Sequence, residues 1–206
     1  MYIRNKRAVK FVTMFFLLLF VFGVFKSDVL GKIFYPYPYK QIVEKYASSY
    51  GVDPLLVISV IREESHFNRR SNSHKGAIGL MQLMPETARE ISVWLNDSFE
   101  DIDLTKPEDN IRYGTWYLSA LNKEFAGNSI LVLAAYNAGS GRVTKWLKTS
   151  ARSYNTYLIE DIPFKETREY VLKVLDSYEK YSELYAKAKP PHRNQIILRH
   201  SGLNTA

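Results

Sequence analysis

Glu63 and Glu64 stand side by side near the end of an apolar segment, Pro54-Leu55-Leu56-Val57-Ile58-Ser59-Val60-Ile61-Arg62-Glu63-Glu64-Ser65. Wound as a helix at about 100° per residue, the segment gathers Leu56, Val57, Val60 and Ile61 into one stripe, and Glu64 falls in the middle of it. Glu63 is turned away by about 100°, to the stripe's edge. A buried carboxylate without a partner is costly, so such a group tends to keep its proton. A carboxylic acid still protonated near neutral pH is what general-acid chemistry needs. The pattern also fits a glutamate at a frayed helix end, or one paired with a base. Periodicity alone does not separate these readings.

Composition limits the other chemistries. The chain has 206 residues and no Cys. That excludes a thiol nucleophile, a disulfide framework, Cys-ligated zinc or iron–sulfur sites, and lipidation on Cys. His66 and His74 have no metal-ligand spacing and there is no HExxH motif, so neither metal nor cofactor is expected. The net charge of +7 divides unevenly. Residues 1–26 carry +5 and residues 184–206 carry +4, neither with any acid, which leaves −2 for the middle. A polyanion-binding domain is basic in its folded part. Nucleic acid is therefore not the expected partner.

The elements that position the glutamates come next. Phe11–Phe25 is a run of 15 uncharged residues behind a basic stub. It is a little short of the roughly 20 that span a bilayer, and no A-x-A cleavage site follows it. Both a membrane anchor and a cleaved signal segment remain open, with the anchor favoured. Positive-inside bias then puts everything after Lys26 outside the cytoplasm. Tyr35-Pro36-Tyr37-Pro38-Tyr39 reads as a stiff, extended linker. Beyond it the pattern is helical. A helix over 40–50 stops at Gly51. Asp53 caps the Glu63/Glu64 helix, with Pro54 at its first position. A Gly-containing loop follows from Asn68 to Gly79. Pro85 opens a helix through Leu95, and Pro107 opens another. Asn128 caps one that ends at Gly139. The last long helix is expected from Thr167 to about Ala188. No strand pattern is sustained. The expectation is an all-α fold with three parts: 1–35 as stub and anchor or signal helix, 36–188 as the domain, and 189–206 as a basic tail.

Three blocks carry a family resemblance. The first is Glu64-Ser65-His66-Phe67 followed by Ser73-His74-Lys75-Gly76-Ala77-Ile78-Gly79-Leu80-Met81-Gln82-Leu83-Met84-Pro85. The second is Ala134-Ala135-Tyr136-Asn137-Ala138-Gly139, continued by Gly141-Arg142-Val143. The third is Ile162-Pro163-Phe164-Lys165-Glu166-Thr167-Arg168-Glu169-Tyr170-Val171. In this order they resemble the soluble lytic transglycosylases, relatives of goose-type lysozyme, over about 55–175. The resemblance implies a lysozyme-like helical domain acting on peptidoglycan glycan strands. It implies that Glu64 is the single catalytic acid/base at the bond between N-acetylmuramic acid and N-acetylglucosamine. The muramic 6-hydroxyl, and not water, would then attack the anomeric carbon and leave a 1,6-anhydromuramoyl end. It further implies that Ser73 hydrogen-bonds near the glutamate. Gln82, Tyr136, Asn137 and Tyr170 would hold sugars or orient the acid.

Read without the family, several of these residues have plainer uses. Gly76 and Gly79 would let backbone approach a sugar, or simply shape a loop. Met81 and Met84 read as core or groove filler. Tyr136 reads as core, and Asn137 as a capping residue. Glu166 suits a helix N-terminus, and Arg168 suits local pairing with Glu166 or Glu169. The chain also departs from the family pattern. Arg69 stands where many relatives have Pro, and Arg70-Ser71 fills a spacer that usually contains Ala. These changes add positive charge near the cleft, where His74-Lys75 could meet a stem-peptide or lactyl carboxylate. The alternatives are a muramidase that hydrolyses with water, a non-catalytic peptidoglycan-binding module, and a membrane scaffold docking through the last helix and tail. A two-carboxylate glycosidase needs a second acid at a set distance, and Glu63 points the wrong way for that role.

Overall fold

The computed structural model describes residues 8–18, 23, 28–150, 153 and 156–186. It divides into two compact units, Met1–Tyr37 and Pro38–Ala206. In the first unit the chain is helical over 8–18, where Thr13 Oγ1 donates to the Val9 carbonyl at 2.6 Å. A short helix α1, Asp28–Phe34, follows. Among the described residues no helix is long and apolar enough to cross a membrane. The expected anchor run, 11–25, passes through 19–22, 24 and 25, which lie outside the described residues. The basic tail, 189–206, lies outside them too.

The second unit is all-α among its described residues. It comprises α2 (Lys40–Tyr50), α3 (Pro54–Ser65), α4 (Pro85–Leu95), α5 (Pro107–Glu124), α6 (Ser129–Ala138), α7 (Ser140–Thr149) and α8 (Lys165–Tyr185). Short 3₁₀ turns lie at Phe99–Asp101 and Ile159–Asp161. The caps follow from residue chemistry. Gly51 ends α2 in the left-handed region, φ 67°, where a Cβ is penalised. The Asp53 carboxylate accepts from the Leu55 amide at 2.8 Å, with Pro54 at the first helical position of α3. Asn128 accepts from the amides of Ile130 and Leu131 at the start of α6.

Helix α3 is the centre of this unit. Val57, Ile58, Ser59, Val60 and Ile61 are all fully buried. Five consecutive buried residues mean that α3 is covered on every side, not along a single stripe. Its main partners are α8 and α2, while α6 packs on α5, α7 and α8. The buried seam of α8 is Thr167, Tyr170, Val171, Val174, Ser177 and Tyr181, at helical spacing. Polar ties fix the outer elements. Lys45 donates to Glu108 at 2.6 Å, and Tyr46 donates to the same carboxylate, joining α2 to α5. Tyr178 of α8 donates to the Asp53 cap of α3 at 2.6 Å.

Three expectations need correction. The 35–39 linker is not extended throughout, because Tyr39 turns in the left-handed region at φ 56°. Helix α7 was not expected. Only Val143 of it is buried, with Trp146 and Leu147 half-buried beside it at helical spacing. Helix α8 begins at Lys165, ahead of the expected Thr167.

The loop between α3 and α4 folds back on itself through isolated bridges, Asn72 to Ile78 and Ile78 to Leu83. Gly79 lies at its tightest point, with φ 81°, and a Cβ there would sit 2.2 Å from the Leu104 carbonyl oxygen. The close approach expected of this glycine is thus to the protein's own backbone. Gly79→Ala should lower stability by at least about 2 kcal/mol, since neither the conformation nor the space accepts a methyl group. An unchanged thermal midpoint would contradict this packing.

Candidate functional site

Glu64 sits one turn beyond the fully buried stretch of α3. Removal from water is the main influence on its carboxyl and pushes its pKa up to about 7. A hydrogen-bonding interaction from Tyr170 pulls the other way, and the negative charge of Glu63 adds to the rise. Tyr170 is buried on the inner seam of α8, and its hydroxyl finds no partner at full hydrogen-bond geometry. It therefore leans on Glu64 without neutralising it. Tyr136, from α6, is the second hydroxyl in the electrostatic neighbourhood of Glu64. Burial first, and the nearby Glu64 second, hold both phenols well above their ordinary pKa, so both stay protonated donors. The arrangement can store a proton on a carboxyl near neutral pH and surround it with two hydroxyls.

Glu63 has a different environment. Its side chain is only 11% exposed, so it too is largely buried. It accepts from Ser177 Oγ at 2.6 Å and from Arg62 Nη1 at 3.0 Å. Helical-wheel geometry sends only Glu64 inward, and the structure corrects this. Helix α8 covers the side where Glu63 points, and the two acids differ in their partners more than in their depth.

The loop from Ser65 to Met84 is braced against this helix by side chains. Ser65 Oγ donates to the Leu80 carbonyl at 2.8 Å. Tyr136 donates its hydroxyl to the Met81 carbonyl at 2.8 Å, so one phenol both borders Glu64 and holds the loop. Gln82, with φ 47°, donates through Nε2 to the carbonyls of Gly79 at 2.9 Å and Ser71 at 3.2 Å. Left-handed conformations of residues other than glycine cost about 1 kcal/mol each and persist where surrounding contacts impose them. His66 (φ 49°) and Phe67 (φ 66°) share that conformation next to Glu64.

Of the residues singled out in sequence, the structure gathers Glu64, Tyr136 and Tyr170. Gln82 acts on the loop backbone. Ser73 Oγ accepts from the Ala77 amide at 2.9 Å and closes the loop turn, and among the described contacts nothing joins it to Glu64. Asn137 is exposed at the end of α6. Arg168 donates to the Ile162 carbonyl instead of pairing with Glu166 or Glu169. Met81 is fully buried, its sulfur resting where Gly114 leaves room for it.

Sequence reading missed Asn110. It is fully buried on α5 and carries no motif. Its Oδ1 accepts from the Met81 amide at 2.7 Å, and its Nδ2 donates to the carbonyls of Ile78 at 2.9 Å and Leu104 at 2.8 Å. Its one local hint is a polar side chain inside the apolar face of α5, next to Ile111.

With this geometry in view, known proteins give the family. The model of the transglycosylase SLT domain matches residues 41–159. The chain belongs to this family. The chain is 37% identical, over 174 residues, to the soluble lytic murein transglycosylase of Escherichia coli K12, a match covering 80% of this chain and 27% of that one. It is 33% identical to the membrane-bound lytic murein transglycosylase C of Haemophilus ducreyi, over 69% of this chain and 45% of that one. Among solved structures it resembles the lytic transglycosylase of Pseudomonas aeruginosa, crystallised as an inactive glutamate-to-glutamine mutant. There the TM-score is 0.66 and the identity 38%, covering 74% of this chain and 25% of that one. The chain thus spans about a quarter of the length of the soluble relatives it matches.

Two outcomes follow from this site. Asn110→Ala removes three buried hydrogen bonds and should cost about 3 kcal/mol, with faster amide exchange at Met81 than at residues of α2. Exchange spread evenly over the domain would count against the local brace. The second concerns pH. Glu64 ordinarily titrates near 4.5 and here near 7, so between these values the folded state holds a proton that the unfolded chain has lost. Stability contributed by that proton is present below pH 4.5 and declines as pH rises to about 7. Glu64→Gln should match the parent at pH 4 and exceed it by about 2–3 kcal/mol at pH 8 in denaturant melts. An equal advantage at both pH values would rule out a protonated Glu64.

Proposed function

We propose that this chain is a peptidoglycan lytic transglycosylase, with Glu64 as its general acid and then its base. The observation that carries the reading is a carboxyl held near pKa 7 by burial, with two protonated phenols around it. Glu64 gives its proton to the glycosidic oxygen joining N-acetylmuramic acid to N-acetylglucosamine, and that bond breaks. The muramic 6-hydroxyl closes on the anomeric carbon, and its proton passes to the Glu64 carboxylate. The proton is returned, and the product is a 1,6-anhydromuramoyl end.

Tyr170 and Tyr136 orient Glu64 and line the sugar site. Gln82, Asn137 and Ser73 belong to the sugar-binding groove, Gln82 and Ser73 through the loop they shape. The commitment of Glu63 to Ser177 and Arg62 supports a one-carboxylate mechanism, because it leaves that acid poorly placed to activate water. The names of the relatives, lytic murein transglycosylases, support the substrate class. Residues 36–188 form the catalytic part in this reading, with 189–206 as a basic tail. The domain works outside the cytoplasmic membrane, held there by the apolar run near the N-terminus or released after its cleavage. Relatives are named both soluble and membrane-bound, and both arrangements accord with that reading.

Purified Glu64→Gln should lose at least about 100-fold in glycan cleavage, the usual weight of a positioned general acid. Mass analysis of digested peptidoglycan should give anhydromuramoyl ends; reducing ends would instead indicate a hydrolytic muramidase. Because Glu64 must begin protonated, the rate should fall as pH climbs through about 7. A Glu64→Gln variant that releases glycan fragments as fast as the parent would show that Glu64 is not the catalytic acid.

A further inference from the structure

Helix α7 carries a row of charge that the site around Glu64 does not use. At about 100° per residue, Arg142, Lys145 and Lys148 fall within an arc of about 120° on one side, with Val143 and Leu147 on the other. Val143 is buried, so that side faces the domain, while all three cations are exposed. Successive cations are about 4.5 Å apart along the axis, close enough to repel one another. Neighbouring acids would offset such a row, but residues 125–159 contain no Asp or Glu. Among the described residues no carboxylate pairs with Arg142, Lys145 or Lys148. The middle of the chain, 27–183, is net −2, so the row is opposite in sign to its own domain. It is also tied to the Glu64 end of the molecule on both sides. Helix α7 leaves α6 at Gly139, three residues after Tyr136, and packs back on it. Trp146, one turn on from Arg142 at the edge of the row, meets the ring of Phe164 at 5.4 Å. Phe164 precedes the first residue of α8, and Tyr170 follows about 9 Å further along that helix. The elements that carry both phenols of the site therefore lead into α7.

We propose that Arg142, Lys145 and Lys148 form an outer binding surface for the acidic peptides that hang from a peptidoglycan strand, holding the substrate beyond the bond that Glu64 cleaves. The proposal rests on the reading of the chain as a lytic transglycosylase. Each muramic acid can carry a peptide on its lactyl carboxyl, and a peptide end is a carboxylate. A strand long enough to pass through the site therefore brings several carboxylates alongside the protein. A row of exposed cations favours such a multivalent anion over a single one, because each contact makes the next intramolecular. An anionic bilayer fits less well. A helix that lies on a membrane presents its apolar side to lipid, whereas α7 turns Val143 into the domain.

The test compares the full chain with the triple variant Arg142→Gln, Lys145→Gln, Lys148→Gln, both carrying Glu64→Gln so that the polymer stays uncut, by co-sedimentation with insoluble peptidoglycan. The three side chains are exposed, and surface changes of this kind leave folding intact. The triple variant should bind about tenfold more weakly at low salt. Peptidoglycan whose carboxyls have been converted to amides should bind both proteins equally weakly, and about 0.5 M salt should remove most of the difference. In cleavage by chains with Glu64 intact, the triple change should raise KM by about the same tenfold, with kcat within about twofold. Equal affinity of the two proteins for untreated peptidoglycan overturns the proposal, and so does a difference that survives amidation. Vesicles of anionic phospholipid are the competing partner. If the triple change abolishes binding to them and leaves peptidoglycan binding unmoved, the row is a membrane contact and the proposal fails. Sedimentation needs no turnover, so a charge-dependent difference in a chain that cleaves no glycan refutes the function and not this surface.

Discussion

A carboxyl group removed from water must either find donors or keep its proton, and α3 presents both solutions on consecutive residues. Donors reach Glu63, from Ser177 and Arg62. Glu64 receives only the oblique approach of Tyr170, and so retains its proton up to about pH 7. This inequality depends on α3 being enclosed. Were the helix on the surface, solvent would ionise both acids near their ordinary values. The extensive contact with α8 supplies the burial that raises the Glu64 pKa, and it supplies the hydroxyls that tell the two acids apart.

The loop after α3 is the second half of the site, and it is held by polar side chains, not by apolar packing. Ser65, Gln82, Asn110 and Tyr136 each grip backbone groups between residues 71 and 81. Backbone pinned in this way can form the rigid wall that a sugar site requires, because a shift of about 1 Å is enough to lose much of a positioned group's effect. Tyr136 links the two halves, since its hydroxyl fixes Met81 and lies in the electrostatic neighbourhood of Glu64. The left-handed conformations of His66, Phe67 and Gln82 place backbone strain around the acid, where the braces can sustain it.

Much of this could be read from the chain. Helices α2 to α6 announce themselves through Gly51, Asp53-Pro54, Pro85, Pro107 and Asn128, because cap and breaker chemistry is local. The block patterns led to Glu64, Tyr136 and Tyr170 together. What stayed hidden depends on tertiary neighbours. The burial of Glu63 is set by Ser177, 114 residues away, and no wheel drawn on α3 contains that information. Asn110 looks like one polar residue among others on α5 until the 78–83 loop folds onto it. Helix α7 is a different case: Val143, Trp146 and Leu147 do recur at helical spacing, so its signal is local and needed no tertiary neighbour. For Gly79 the sequence leaves sugar contact and loop shaping both open, and its tight approach is to Leu104 and Asn110.

The account stands on the protonation state of one side chain in the resting protein. The most direct measurement is the titration of the Glu64 carboxyl in the unmodified chain, followed by its ¹³C shift from acid to alkaline pH. The account predicts a midpoint near 7, with Glu64 neutral through the mildly acidic range. A midpoint at the ordinary value of about 4.5 would mean that the group rests as a carboxylate, and neither its role as proton donor nor the logic of the surrounding pocket would survive.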